Sequence, residues 1–286
     1  MTRAMICSGS FYPADRAACE AAVNRLISVS ENDSLCRDVQ PVAAVVPHAG
    51  WEYCGDVIGE VFSRIKGLRI DTFLLFGAVH MHGVLGPLVY DGQAWETPLG
   101  KLQIDREIAV RLLESGVFSS DVFFHSNEHS LEVAAPFIRG CFPDSKICAV
   151  LVPPNADALL AGRIAAEVAG DGNVFCIASS DLTHYGKGYD FEPAGCGEEG
   201  YIWAKEINDR SFLNSVISLE AQACLSKGVN DRSACGAGAV AAAVEYARSR
   251  GSTEGILLKH THSCEVLGRE YLCTTDSTVG YAGILL

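Results

Sequence analysis

The sequence predicts an α/β fold, a three-layer α/β/α sandwich built on a mostly parallel central sheet. Three observations favour this class. Short apolar segments without apolar/polar alternation recur along the chain, as expected for parallel strands that are buried on both faces. Segments with helical spacing of apolar side chains separate them. The 286 residues are 49% hydrophobic and contain no repeat or linker-like stretch, so we expect a single domain over residues 1–286.

The first elements have the pattern of a right-handed βαβ unit. Residues 42–46 and 72–76 are the expected buried strands, and residues 56–65 carry apolar side chains at helical spacing between them. An amphipathic helix is expected earlier, from Asp15 as a possible N-cap to about Ser28, and a polar loop follows it.

The same alternation continues through the rest of the chain and favours helices on both faces of the sheet. The further expected helices run from Asp105 to about Ser115 and over residues 130–139, 157–168 and 234–247. The further expected strands cover residues 88–91, 101–104, 146–152, 174–178, 255–259 and 279–285, the first two flanking a turn at residues 97–100.

Charge and cysteine content argue against several classes of protein. A formal net charge of −13 and a pI of about 5.0 oppose binding to nucleic acid, which needs clustered Lys and Arg. The first residues lack a secretory signal, and nowhere do about 18 apolar residues run together, so we expect a cytoplasmic protein without a membrane segment. The 12 cysteines include no C-x-x-C pair, and most are expected to be reduced.

Two histidines follow apolar segments that predict strands. His48 comes after residues 42–46, and His80 comes after residues 72–76. The carboxyl ends of parallel strands form the edge where ligand crevices open in α/β sheets. Two imidazoles that arrive there from neighbouring strands can share one metal ion, which makes His48 and His80 the first candidate ligands.

A third segment brings an acid and a further histidine to the same edge. Asp181 and His184 follow the expected strand over residues 174–178. A buried Asp beside a His holds its tautomer and raises its basicity, as general acid/base catalysis requires. The alternative is a helix start, with Ser180 or Asp181 as N-cap and His184 facing solvent.

Two more candidates lie at expected helix starts. The segment Glu128–Glu132 has the spacing of a capping box, which leaves His129 free to face the site. Cys235 precedes the expected helix over residues 234–247, and a helix N-terminus lowers the pKa of a thiol. On its own residues, Cys235 is better explained as a structural cysteine than as a ligand or nucleophile. His260-x-His262 has the form of a metal pair, but alternate strand positions share a face and often simply pack.

Eight ordered motifs make the sequence resemble the Memo family, the dioxygenase-like proteins also called AmmeMemoRadiSam system protein B. The motifs run through nearly the whole chain and comprise Gly9-Ser10-Phe11-Tyr12-Pro13, Pro47-His48-Ala49-Gly50 with Tyr53 and Gly55, Gly77-x-x-His80, Thr97-Pro98-Leu99-Gly100, Glu128-His129-Ser130-x-Glu132, Ser179-Ser180-Asp181-x-x-His184-Tyr185, Cys235-Gly236 and Val279-Gly280-Tyr281-Ala282.

The resemblance implies the fold of class III extradiol ring-cleaving dioxygenases, in which two His and one Glu hold non-haem iron. Memo-like proteins keep the two histidines, matched here by His48 and His80. They place a cysteine where the carboxylate would be, and Cys235 matches it. The resemblance therefore implies Cys235 as third ligand and His184 as the counterpart of the dioxygenase acid/base.

Two departures from the family pattern concern the pocket. The family commonly has two adjacent histidines where this chain has His80 and Met81, with His82 nearby. The usual proline after Cys-Gly is also missing, because Gly236 is followed by Ala237. The expected ligands survive both changes.

Three functions stay open at this point. The first is a metal-dependent oxidoreductase with Fe²⁺, or alternatively copper. A thiolate makes such a site softer, which favours Cu(I) or zinc and disfavours ordinary catechol cleavage. The second is a non-catalytic protein that binds a peptide or small ligand in the inherited cleft, and the third is a zinc hydrolase. The family name also suggests a radical-SAM protein as a pathway partner.

Overall fold

The structure, a computed structural model, describes residues 1–28, 40–268 and 277–286, so the polar loop expected after the first helix lies largely outside the described residues. The strands are β1 (Thr2–Arg3), β2 (Ala43–Val46), β3 (Thr72–Gly77), β4 (Leu88–Val89), β5 (Ala94–Trp95), β6 (Leu102–Gln103), β7 (Ser119–Ser120), β8 (Lys146–Leu151), β9 (Val174–Ser179), β10 (His184–Gly186), β11 (Ile256–His262) and β12 (Ser277–Leu285).

The helices lie between these strands or in a run without strands over residues 197–249, and in the described part of the chain they include a 3-10 turn (Lys187–Tyr189) and a π-helical segment (Ala204–Asp209). They are α1 (Arg16–Ile27), α2 (Trp51–Ile65), α3 (Arg106–Glu114), α4 (Val122–Asn127), α5 (Ala135–Cys141), α6 (Asp157–Ala169), α7 (Gly197–Trp203), α8 (Arg210–Ile217), α9 (Ala221–Asn230), α10 (Ala237–Ser249) and α11 (Ser263–Val266). Asp15 and Asp105 cap α1 and α3 as predicted, through bonds from the backbone N–H groups of Ala18 and Ile108.

The strands of the described residues form two sheets. The larger has nine strands in the order β10-β12-β2-β9-β3-β8-β4-β7, with β11 also paired to β12. Its central strands β2, β9, β3 and β8 are parallel neighbours, whereas β12 and β4 join them in antiparallel pairs. The smaller sheet consists of β1, β5 and β6. The predicted α/β fold is confirmed, with parallel pairing concentrated at the centre of the large sheet.

Helices cover both faces of the large sheet. The alanine-rich α10 packs on β2, β9 and β3, and α6 and α9 pack against α10. On the other face α2 packs on β2 and β12, with α1 and α5 outside it. Stacked rings of Phe62, Phe73 and Phe137 fill the layer between α2, β3 and α5. Buried apolar surface on both faces is what stabilises a parallel sheet in this architecture.

Helices α2 and α10 begin elsewhere than predicted. α2 begins at Trp51 rather than residue 56, because Trp51 and Cys54 already belong to its buried face. α10 begins at Ala237 rather than residue 234, because the preceding residues form a loop bonded to the end of β9. In that loop the backbone N–H of Cys235 donates to the carbonyl of Asp181, at 3.3 Å.

The region from residue 88 to residue 139 also departs from prediction. The turn at residues 97–100 joins β5 and β6, whereas β4 pairs with β8 in the large sheet. The sequence did not indicate α4. Residues 130–134 form turns, and α5 begins at Ala135, where Pro136 occupies the first helical turn. A proline at this position needs no backbone N–H partner, which explains the later helix start.

Throughout residues 1–28, 40–268 and 277–286, no helix has the length and apolar character needed to cross a bilayer. The ten cysteines within these ranges are free thiols, in agreement with the expectation of reduced cysteines.

Candidate metal centre

The carboxyl edge of the central strands gathers the candidate residues. His48 follows β2, His80 follows β3, and Asp181 follows β9. The prediction that β2 and β3 are direct neighbours is wrong, because β9 pairs with both and lies between them. Its placement brings Asp181 between the two histidines along the edge.

Three potential ligands converge at this edge. The Sγ atom of Cys235 lies 3.3 Å from Nε2 of His48, and the rings of His48 and His80 have centroids 5.2 Å apart in an edge-to-face arrangement. One donor atom from each residue lies within 4.8 Å of the other two. His48 is buried, whereas the His80 side chain is 36% exposed. The cluster is therefore accessible from one side.

The tautomer of His48 follows from its hydrogen bonds. Its Nδ1 atom lies 2.9 Å from Oγ of Ser179, and that hydroxyl donates its one hydrogen to the carbonyl of Ser130, at 2.5 Å. Ser179 must therefore accept from Nδ1–H of His48. The Nε2 lone pair is left free and faces the thiol of Cys235.

Glu128 fixes the orientation of the His80 ring, as Ser179 does for His48. Its carboxylate accepts from Nδ1 of His80 at 2.9 Å, and it also binds the backbone N–H groups of His80 and Ser130. Burial opposes the charge of Glu128, but these bonds outweigh it and lower its pKa to about 2. Burial likewise lowers the pKa of His80, and the bond and charge of Glu128 outweigh it, so the net direction is upward. Nδ1 of His80 carries a proton, and Nε2 is its available ligand atom.

Protonation of the other two residues is set by burial. Burial lowers the pKa of His48 to about 4, so its ring is neutral near pH 7. Burial raises the pKa of the Cys235 thiol well above its usual range, and the charge of Asp181 raises it further. The net direction of the Cys235 pKa is therefore opposite to the lowering expected from a helix N-terminus, because burial dominates. The Cys235 thiol has two possible acceptors, Nε2 of His48 at 3.3 Å and the carbonyl oxygen of Asp181 at 3.7 Å.

The Cys235 loop approaches the end of β9 closely because of a glycine. A Cβ atom on Gly236 would lie 2.5 Å from the carbonyl oxygen of Ser179 and 2.8 Å from Cβ of Ser180. Only glycine permits this approach. The Ser180 hydroxyl accepts from the backbone N–H of Gly236, at 2.9 Å, and fastens the loop.

His129 is the third imidazole of the cluster. Its ring stacks on that of His80 with centroids 4.7 Å apart, and its Nδ1 atom lies 3.3 Å from the carboxylate of Glu128. Burial, followed by the charge of His80, lowers the pKa of His129. The predicted capping box at Glu128–Glu132 is wrong, because the Ser130 hydroxyl donates to the carbonyl of Ala78 instead of capping a helix.

Asp181 and His184 lie in one loop but do not act as a pair. Asp181 accepts from the backbone N–H of His48, at 2.8 Å, whereas Nδ1 of His184 bonds to the carbonyl of Leu182, at 3.1 Å. The expectation that Asp181 orients His184 is therefore corrected. The alternative of a helix start is also wrong, because His184 begins strand β10. Its Nδ1–H bond leaves Nε2 unprotonated in the neutral ring.

A cavity of about 430 Å³ opens over the cluster and is lined by His48, His80, His129, Asp181 and His184. Its other walls include four aromatic side chains, namely Phe11, Tyr53, Tyr189 and Tyr281. A second cavity of about 360 Å³ shares His80 and His184 with the first and is lined by Cys235. Because they share lining residues, the two cavities form one cleft of small-molecule size beside the three candidate ligands.

A family model described as Memo-like protein matches residues 3–285. The chain belongs to the Memo family. Relatives named MEMO1 family protein come from Thermococcus onnurineus, at 30% identity over 298 residues, and from Methanosarcina mazei, at 31% identity over 290 residues. These alignments cover 100% and 98% of this chain and 99% and 97% of the relatives. Membership supports the dioxygenase-like fold that the resemblance implied.

A solved structure provides a more distant likeness. The crystal structure of the uncharacterized protein JW3007 from Escherichia coli superposes with a TM-score of 0.51 at 11% sequence identity. The match covers 86% of this chain and 100% of the other. At this identity the similarity is one of fold.

The structure adds residues that sequence reasoning did not single out. Ser179 and Glu128 set which nitrogen of His48 and His80 faces the cluster. The sequence signals for them were the position of Ser179 at a strand end and that of Glu128 beside His129. Their hydrogen bonds to His48 and His80 can be seen only in the structure. His82 is exposed, and His260 and His262 form a separate cluster with Asp209.

Proposed function

We propose that this Memo-family protein is a metal-dependent oxidoreductase whose ion is held by His48, His80 and Cys235. The observation that carries the proposal is the direction of the two imidazoles. Each uses Nδ1 for a protein hydrogen bond and leaves Nε2 available, and Nε2 of His48 lies 3.3 Å from Sγ of the partly buried Cys235. This is the arrangement that proteins use to orient histidine ligands.

The donor set fits a transition metal. Two imidazole nitrogens and one thiolate are the ligands that suit Fe²⁺, copper or zinc, and metal binding takes place with loss of the thiol proton. Three protein ligands leave open positions, as in catalytic sites rather than closed structural sites. The cleft above the cluster supports the catalytic alternative. We favour iron or copper because these ions support redox chemistry.

Bound iron or copper would supply electron transfer and a site for oxygen or substrate at its open positions. The residues of this chain would provide the remaining functions. His184, whose Nδ1 bonds to the carbonyl of Leu182 and whose ring lines the cavity, is positioned to accept a proton from a bound ligand at Nε2. His129 lines the same wall and is our second candidate for proton transfer. Asp181 supports the turn that carries His48.

The ligand of the cleft is proposed to be a small molecule or a short peptide segment. The aromatic walls offer apolar surface, and the histidine floor offers polar partners. This combination is typical of ligand pockets. A radical-SAM protein as pathway partner is a proposal that follows from the family name alone.

The test is metal analysis of protein purified without oxygen, together with oxygen uptake in the presence of catechols. We expect one equivalent of iron or copper in the wild type and none in His48→Ala and Cys235→Ala. His82→Ala and Cys196→Ala, which alter an exposed histidine and an exposed cysteine, are the matched controls and should keep the metal.

The outcomes separate the open functions. Absence of stoichiometric metal in the wild type would contradict the proposal and favour a ligand-binding protein. Zinc alone, with no oxygen uptake, would exclude the oxidoreductase and favour the hydrolase.

A further inference from the structure

A buried carboxylate lies behind the loop that carries His184. Asp209 is the last residue of the π-helical segment, and its side chain has no exposed surface. Single π-helical turns interrupt an α-helix at a local cost and are frequent at functional sites. In this chain the segment ends with a charged side chain inside the protein.

The carboxylate of Asp209 accepts four hydrogen bonds. One oxygen accepts from the backbone N–H of Thr183, at 3.0 Å, and from the hydroxyl of Thr183. The other accepts from Nε2 of His262, at 2.8 Å, and from Nε2 of His260, at 3.0 Å. Four bonds occupy the lone pairs of both oxygens. Asp209 therefore holds two groups of the residue that directly precedes His184.

Asn208 extends this attachment to a second loop. Its side-chain amide donates to the hydroxyl of Thr183, at 2.9 Å, and to the carbonyl of Asp231, at 3.0 Å. Asp231 begins the loop that leads to Cys235. Two consecutive residues thus connect the loop of His184 with the loop of the candidate cysteine ligand.

Strand β12 provides the surface against which Asp209 packs. The backbone of Gly280 exchanges hydrogen bonds with Leu182 and Thr183, at 2.8 and 3.1 Å. A Cβ atom on Gly280 would overlap the carboxylate of Asp209 and lie 3.0 Å from Nε2 of His262. Glycine at this strand position lets the carboxylate reach the loop.

We propose that Asp209 is a positioning residue that holds His184 at the cleft and couples its loop to the loop of Cys235. The inference rests on the proposed function, because His184 matters to a reaction only if the cleft is a reaction site. Residues 180–183 lack regular secondary structure, so the bonds from Asp209 and Asn208 add to the backbone bonds with Gly280 in fixing where the loop lies.

A metal ion held by Asp209, His260 and His262 is the competing explanation, since their ligand atoms also lie within 4.8 Å of one another. The hydrogen bonds favour a positioning role for Asp209, because both histidines direct Nε2 to Oδ2 of its carboxylate at hydrogen-bond distance. Burial raises the pKa of Asp209, but the bonds from these histidines outweigh burial and lower it. An ionised carboxylate is the form that accepts all four bonds.

The test records the ring signals of His184 by NMR in metal-free protein with labelled histidine, assigned through His184→Gln. We expect Asp209→Asn and Thr183→Val to shift and broaden these signals, whereas Thr183→Ser, which keeps the hydroxyl, restores the wild-type spectrum. Asp105→Asn is the matched control. Asp105 also binds a threonine hydroxyl and a backbone N–H, but it lies at the amino end of β3.

Two results would overturn the inference. One is that the His184 ring signals stay unchanged in Asp209→Asn and Thr183→Val, while the stability of these variants falls as much as that of Asp105→Asn. Asp209 would then act on the fold alone. The other is one equivalent of bound zinc that remains in Cys235→Ala and is lost in the double variant Cys235→Ala/Asp209→Asn, because Asp209 would then be a metal ligand. A wild type without metal would defeat the proposed function but leave the NMR result intact, so the two failures are distinguishable.

Discussion

The cluster of His48, His80 and Cys235 and the cluster of His260, His262 and Asp209 each bring a pair of imidazole rings to a third polar group, and they differ in which ring nitrogen is free. In the first, His48 and His80 bind protein oxygens through Nδ1 and leave Nε2 available. In the second, His260 and His262 direct Nε2 to the carboxylate of Asp209. The comparison indicates that convergence of histidines is insufficient evidence for a metal site. The hydrogen bonds of the opposite ring nitrogen decide whether a lone pair is available.

Exposure separates the clusters as well. The first lies at the floor of a cleft, with the His80 side chain 36% exposed. In the second, the side chains of His262 and Asp209 have no exposed surface, and that of His260 is 13% exposed. An ion at the first cluster is reachable by a ligand. The second cluster is instead a buried hydrogen-bonded support for the loop of His184. We call Asp209, together with His260 and His262, the anchor of that loop.

Removal of the anchor should have the largest effect on stability. Asp209→Ala leaves four donors without their partner inside the protein, and we expect a loss of about 3–5 kcal/mol in the free energy of unfolding, measured with urea. Asp105→Ala, which removes a half-buried helix cap, should cost only about 1 kcal/mol. Equal losses in the two variants would contradict the special role of Asp209.

Removal of one orienting bond at the first cluster should weaken metal binding. Ser179→Ala leaves Nδ1 of His48 without its acceptor, and loss of such a partner lowers metal affinity by roughly 10–100-fold, or about 1.4–2.7 kcal/mol. Competition titrations with a chelator measure this. Ser145→Ala removes a buried serine that donates to the carbonyl of Ile70 and serves as control. Equal metal affinity in Ser179→Ala and wild type would argue against the tautomer assigned to His48.

The smallest effect concerns the support of the second cluster. Glu265 accepts from the backbone N–H of His262, at 2.9 Å, and from Lys205. Burial raises its pKa, but the bonds from Lys205, Tyr201 and His262 outweigh burial and lower it to about 2. The stabilisation is present at neutral pH and is lost as pH falls from about 4.5 to about 2.

Glu265→Gln should therefore destabilise the protein by roughly 1–2 kcal/mol at pH 7, a value reduced for partial exposure. The difference from wild type should shrink below about pH 4 as Glu265 becomes protonated. Urea unfolding at several pH values measures it. A difference that grows with acidity would contradict the assignment.

Sequence patterns identified the central elements because buried parallel strands are continuous apolar segments. They placed His48 and His80 at strand ends, but not the insertion of β9 between those strands, since strand order depends on packing of distant segments. The resemblance, rather than the spacing of residues, supplied Cys235 as ligand. Asp181 was paired with His184 because they are close in sequence, whereas its carboxylate binds the backbone of His48.

The role of Asp209 could not be predicted from the sequence. Asp209 lies 26 residues from Thr183 and 51 residues from His260, in a helical segment without a recognisable motif. The spacing of His260 and His262 indicated a shared strand face, but not the carboxylate that joins them.

X-ray absorption spectroscopy of zinc-loaded protein tests the central claim most directly, because it reports the atoms that bind the ion. We expect one sulfur ligand at about 2.3 Å together with imidazole nitrogens in the wild type and in His260→Ala. The sulfur signal should disappear in Cys235→Ala. A spectrum with nitrogen and oxygen ligands alone, altered by His260→Ala and unaffected by Cys235→Ala, would contradict the assignment of the metal to the first cluster.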